Sequence, residues 1–204
     1  MEKIDYKKKF KEFYTAKATN PVLVNVPKLN YLCIDGEGDP NKSIHFSTAI
    51  ETMFGLSYTI KFNCKKSIGV DYGVMPLEGL WWCNDMEQFS VDKKEDWKWT
   101  LMIMQPEIVT NKIFEDSLAD IKSRKKLESI NNVRFESIHE GLSSQILHIG
   151  PYANEQPTIE KLHNYIKEND YMRSGKHREI YLSDMRRTAP EKLKTIIRQP
   201  IQKL

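Results

Sequence analysis

Two stretches of the sequence present the same order of local signals, and few architectures accommodate both. In the first, a strand pattern over Leu29–Asp35 (Tyr31, Leu32, Cys33, Ile34) ends at Gly36-Glu37-Gly38-Asp39-Pro40. A helix begins near Ser43, with Ala49, Ile50, Met53, Phe54 and Leu56 on its apolar face. Strand-like segments follow at Tyr58–Phe62, Tyr72–Leu77, Gly79–Cys83 and Trp97–Met104, and Pro106 closes the last. In the second stretch, Val133–Ile138 and Gln145–Ile149 read as strands and Gly150-Pro151-Tyr152 as the break. A helix near Pro157–Asn169 gathers Ile159, Leu162 and Ile166, and the strand His177–Ser183 comes next. Thr188-Ala189-Pro190-Glu191 has the spacing of a capped helix start, and Thr195–Gln199 suits a final strand. Gly36 then corresponds to Gly150 and the helix at Ser43 to that at Pro157, at an offset of about 105–115 residues.

Identity between the two stretches is slight, so the repeat is one of pattern. It predicts an α+β fold built from a duplicated unit, with antiparallel sheets, helices on one face, and a ligand cleft between halves related by a pseudo-two-fold. The halves fall at about 21–105 and 130–204, linked by a helix from about Asn111 to Lys126 carrying Ile113, Phe114, Leu118 and Ile121. Residues 1–20 read as an N-terminal helical extension, with Tyr6, Phe10, Phe13 and Tyr14 on one stripe.

Composition narrows the function classes. Lys and Arg total 31 against 28 Asp and Glu, a formal charge of +3 spread along the chain. A clustered basic face for nucleic acid is not indicated, and direct nucleic-acid binding is not expected. Hydrophobic residues at 40% support a packed core. No apolar run approaches the roughly 18–20 residues of a membrane span. Met1–Lys11 lacks the apolar centre of a secretory signal. Cys33, Cys64 and Cys83 have neither close pairing nor metal-ligand spacing, so free thiols in a cytoplasmic protein are expected.

The segment His177-Arg178-Glu179-Ile180-Tyr181-Leu182-Ser183 is the most informative for chemistry. A period of two puts Ile180 and Leu182 on one face and Glu179, Tyr181 and Ser183 on the other. If that second face meets solvent, Glu179 is an ordinary surface residue. If it lines a groove, Glu179 is a partly desolvated carboxylate beside a phenol. Tyr58, Tyr72, Trp81, Trp82, Trp97, Trp99 and Tyr152 sit on or beside expected strands, either as core or as the wall of an aromatic cleft. Adjacent Trp81 and Trp82 point to opposite faces. An aromatic cleft with one acid suits flat, apolar or cationic ligands.

Other constellations are weaker. His45, His139, His148, His163 and His177 show no metal-site spacing, and His148 reads as a hydrogen-bonded core residue. No serine lies in a G-x-S-x-G elbow. Gly36-Glu37-Gly38 reads as a turn, and Arg186 and Arg187 as surface ion pairs with Asp184.

Pro76-Leu77-Glu78-Gly79-Leu80-Trp81, His148-Ile149-Gly150-Pro151-Tyr152, Glu179-Ile180-Tyr181-Leu182-Ser183-Asp184 and the tail Arg186–Lys194 resemble the GyrI-like small-molecule-binding domain. The resemblance covers roughly Pro21 to Gln199. It implies paired strand-helix-strand-strand (SHS2) modules. Members of the family include multidrug-sensing effector domains, a gyrase-inhibitory protein and stand-alone bacterial proteins described as cyclopropanoid cyclopropyl hydrolases. This chain resembles the stand-alone group in length and in lacking a DNA-binding domain. The cleft glutamate of the drug-sensing members falls by motif on Glu179. The resemblance implies a small aromatic or cationic ligand beside Glu179; the residues present then suit Trp81 with one of Tyr58 or Trp97 for the grip on a planar ligand, Glu179 as general base, and Tyr181 or Tyr152 as donor to a carbonyl, with no metal or organic cofactor needed. It leaves three readings: a hydrolase of strained rings, a non-catalytic drug-binding protein, and a gyrase-inhibitor-like interaction domain.

Overall fold

The computed structural model describes residues 2–84 and 94–204. The chain divides into two compact units, and neither is a continuous stretch of sequence. One comprises Met1–Lys9, Leu29–Met75 and Trp81–Ile138; the other comprises Phe10–Lys28, Pro76–Leu80 and His139–Leu204. The fold is α+β with antiparallel sheet. Its described elements are β1 (Glu2–Ile4), α1 (Tyr6–Lys9), β2 (Val22–Glu37), α2 (Ile44–Ser67), β3 (Val70–Tyr72), β4 (Leu77–Trp82), β5 (Lys98–Gln105) and α3 (Asn111–Arg124), then β6 (Arg134–Ile149), α4 (Gln156–Glu168), β7 (Tyr171–Arg173), β8 (His177–Tyr181) and β9 (Lys194–Lys203). The order long strand, helix, short strand, strand, strand occurs twice, as β2-α2-β3-β4-β5 and as β6-α4-β7-β8-β9. The second run carries one three-residue strand, β7, beyond the expected order, while in the first the strand expected at Tyr72–Leu77 is absent: β3 ends at Tyr72 and β4 begins at Leu77.

In the first unit, the β2 stretch Asn30–Glu37 pairs antiparallel with β5, and α2 packs against α3 and β5. Ser43 caps α2, its hydroxyl accepting from the Phe46 amide at 3.3 Å. The helix continues through Tyr58–Phe62, which the sequence suggested as a strand. Ala49, Met53, Leu56, Ile60 and Cys64 are buried at helical spacing across that boundary, so packing overrides the strand-like Tyr-Thr-Ile composition. Gly36 is likewise strand rather than turn. It lies opposite Trp99 in the β2–β5 ladder, and a Cβ there would stand 2.1 Å from the indole. The missing side chain is what lets the ring cross the neighbouring strand. The turn itself falls at Gly38, where φ is +90°.

Only Tyr6–Lys9 of the N-terminal segment is helical. β1 precedes it and pairs parallel with β3, and Tyr6 packs edge-on against Tyr72 at 5.8 Å. The aromatic stripe is buried at Tyr6, Phe13 and Tyr14 as its spacing suggested, but without a long helix. A short lysine-rich segment does not offset the cost of helix nucleation by itself.

In the second unit, β9 pairs antiparallel with the Ser143–Ile149 stretch of β6, with β7 and with β8. Ile146, Leu162, Ile166, Ile197 and Ile201 join β6, α4 and β9 in one core. The two strands expected at Val133–Ile138 and Gln145–Ile149 are a single strand, because Gly141 at φ +74° bends the chain without ending it. The expected helix at Thr188–Glu191 is one turn, Pro190–Lys192, before β9 begins. Asp184 pairs with exposed Arg186 and Arg187 as anticipated.

Candidate functional site

β8 has two polar faces, and they differ in kind. Arg178 lies on the same side of the strand as Ile180, and both are fully buried. Its Nε donates to Glu78 Oε2 at 2.8 Å and its Nη1 to Glu140 Oε2 at 2.9 Å. Glu140 Oε2 also accepts from Arg198 Nη1 at 3.0 Å, and Arg198 Nε donates to Gln145 Oε1 at 2.9 Å. The Tyr14 hydroxyl completes the network on Glu78 Oε1 at 2.7 Å. Two buried cations and two buried anions are thereby matched. Such a network adds little net stability over an apolar core, but losing one partner strands a buried charge. It holds β8 in one orientation.

The opposite face carries His177, Glu179 and Tyr181. Glu179 Oε1 accepts from His177 Nε2 at 3.2 Å, and Oε2 accepts from the Tyr181 hydroxyl at 2.8 Å. The glutamate side chain retains 14% exposure, enough for a ligand atom to reach it. Tyr152 packs edge-on against Tyr181, with ring centres 5.5 Å apart. Burial, then the charges of Glu155, Glu179 and Asp184, push the Tyr152 phenol up to about 12, so it keeps its proton as a donor.

Tyr152 is placed by the turn that precedes α4. Gly150 has φ +139°, and a Cβ there would lie 3.3 Å from His148 Nε2. His148 Nε2 meets the Pro151 carbonyl at 3.2 Å, which can only accept, so that nitrogen carries the hydrogen. Nδ1 is left to accept from the Thr158 hydroxyl at 3.0 Å. The imidazole therefore ties the turn to α4, the buried hydrogen-bonded role its sequence context suggested.

Glu155, the residue just before α4, was not singled out by the sequence. It is 5% exposed. Burial first, and the neighbouring Glu179 carboxylate second, push its carboxyl up to about 9. The closeness of the Glu179 side chain favours the protonated form further, while that of the Thr195 hydroxyl works in the other direction. No donor meets Glu155 Oε1 in hydrogen-bonding geometry. Glu155 thus enters the neutral pH range as a neutral acid beside Glu179. His177 stands at period-two spacing from Glu179, the signal in the sequence that places it on the same face.

Of the expected site residues, Glu179, Tyr181 and Tyr152 come together in this second unit. Trp81 and Trp97 come together in the first, edge-on with ring centres 5.5 Å apart. Phe46 packs against Trp81 at 5.8 Å and against Trp99 at 5.0 Å. Trp81 is buried, whereas Trp97 and Trp82 are half-buried. Tyr58 stands on α2, 48% exposed, and not on a strand. Among the described residues, no group of three or more His, Cys, Asp or Glu side chains could hold a metal ion. The three cysteines are free thiols.

The model of the GyrI-like small molecule binding domain matches residues 19–202, nearly the whole chain. The chain belongs to this family. An uncharacterized conserved protein from Listeria innocua is 32% identical, with 98% of this chain and 100% of that one covered and a TM-score of 0.90. A Listeria innocua protein described as a hydrolase is 31% identical over the same shares, with a TM-score of 0.85. The EcmrR C-terminal domain, at 15% identity and a TM-score of 0.54 over 91% of this chain and 98% of that one, shares the fold. No curated protein matches by sequence. No helix among the described residues is long and apolar enough to cross a membrane.

Proposed function

We propose that this GyrI-like domain binds flat, hydrophobic or cationic aromatic molecules beside Glu179 and hydrolyses a strained electrophilic ring there, a detoxification of cyclopropanoid genotoxins. The observation that carries the reading is a partly exposed carboxylate held on both oxygens, by His177 and Tyr181, with a protonated phenol at its side. The full-length likeness to a protein described as a hydrolase supports turnover over binding alone.

The chemistry asks for little machinery. Water attacks a ring carbon while Glu179 takes its proton as general base. The carbon–carbon bond of the ring breaks, and its electron pair moves through the conjugated system to a carbonyl oxygen. Tyr181 already donates to Glu179 Oε2, so Tyr152 is the better placed phenol to donate to that oxygen. Holding water and electrophile together lowers the barrier by up to about 7–11 kcal/mol in favourable cases. Trp81 and Trp97 are assigned the grip on the planar ligand. Half-buried Trp97 is a better candidate for contact than Tyr58 on α2. The recurring order of elements supports two SHS2 modules.

Glu179→Gln tests the base. Turnover of a cyclopropapyrroloindole-type electrophile is expected to be lost while the planar compound still binds. Undiminished turnover in this variant removes Glu179 from the reaction. Binding without turnover in the wild-type chain leaves a drug-binding protein, and neither leaves the protein-interaction reading.

A further inference from the structure

We propose that Glu155 is a second ligand-binding residue of this site: a bound monocation takes the place of the proton on its buried carboxyl. The inference rests on the reading of Glu179 as the ligand site. Its own basis is the buried Glu155 carboxyl, whose Oε1 meets no donor. An unpartnered acceptor at that depth fits a group that something else completes.

The surroundings decide what completes it. His177, Glu179 and Tyr181 come from β8, Tyr152 and Asp184 from the flanking turns, and Thr195 from β9. The buried cations Arg178 and Arg198 bond Glu78 and Glu140, and Arg178 lies on the other face of β8. The Glu155 proton therefore balances one of two adjacent carboxylates, as in carboxyl pairs that cannot both ionise. A monocation that takes the place of that proton leaves the net charge of the pair unchanged. When the cation arrives, the Glu155 O–H bond breaks, its electron pair stays on oxygen, and the proton passes to solvent. Neutral ligands of the same shape leave it in place. Glu155 thereby sets the site's preference for charge.

The test uses ethidium, a planar permanent monocation, and phenanthridine, its neutral counterpart above about pH 6, with the full chain. Calorimetry in phosphate and in Tris at pH 7 reads the protons released. The wild-type chain should release up to one proton with ethidium, and affinity should rise up to ~tenfold per pH unit below about pH 9. Phenanthridine should release none. Glu155→Gln should abolish both the release and the pH slope for ethidium. Ethidium binding without proton release, or full release retained in Glu155→Gln, overturns the proposal.

Carboxyl 13C NMR of the ligand-free chain separates this failure from failure of the functional reading. One glutamate should titrate far above the ordinary range, lose its signal in Glu155→Gln and move down in Glu179→Gln. All glutamates titrating normally overturns the buried proton on Glu155. That proton present with no ethidium bound at any pH overturns the functional reading and, with it, the exchange.

Discussion

Glu155 carries its proton into the folded state, and this makes stability depend on pH in a defined sense. Its folded value of about 9 lies above the ordinary 4.5, so between these limits the folded chain holds a proton that the unfolded chain has lost. The contribution is complete below about 4.5 and is lost as pH rises towards about 9. The melting temperature should fall across that window, and Glu155→Gln, which cannot titrate, should flatten the fall. Parallel pH profiles for the two proteins would contradict the buried acid. Gly36→Ala drives a methyl into the Trp99 indole, and overpacking of this kind costs about 1–3 kcal/mol. Denaturant unfolding measures it, and an unchanged midpoint would mean that the ring moves aside freely.

β8 shows how one strand can serve a core and a site at once. Arg178→Met leaves Glu78 and Glu140 buried and short of a cation, and should destabilise the fold by about 3–5 kcal/mol. Equilibrium unfolding checks this, and a loss below about 1 kcal/mol would show that the network is not matched as described. The period-two reading of this strand placed Glu179 and Tyr181 together correctly. It could not show that Arg178 is buried, because its partners stand 100 and 38 residues away in sequence. Glu155 was hidden for a similar reason: its neighbours Glu179 and Thr195 come from distant strands. In α2, the local Tyr-Thr-Ile-Lys-Phe composition suggested a strand, while the buried series Met53, Leu56, Ile60 and Cys64 reveals the helix only when read across the boundary. The N-terminal aromatics were legible as buried, but what they pack against was not.

At the scale of the whole molecule, the doubled order of long strand, helix and strands was the legible feature, along with the breaks at Gly150 and Pro106. The additional strand β7 and the bounds of β3 were not legible, since three residues carry too little periodicity. The proposed grip on a planar ligand rests on Trp97, the half-buried member of the cluster with Trp81, Phe46 and Trp99. Trp97→Ala should weaken binding of a planar aromatic by about 1–3 kcal/mol in a fluorescence titration. Unaltered affinity with reduced stability would assign the ring to packing. The chemistry proposed for Glu179 is addition of water to a strained ring. Incubating the protein with a cyclopropapyrroloindole-type electrophile in 18O-labelled water, and following the product by mass spectrometry, tests it directly. Catalytic formation of a ring-opened product bearing one labelled oxygen is the predicted result. An electrophile that emerges intact, or opens only at the rate seen without protein, would contradict the account.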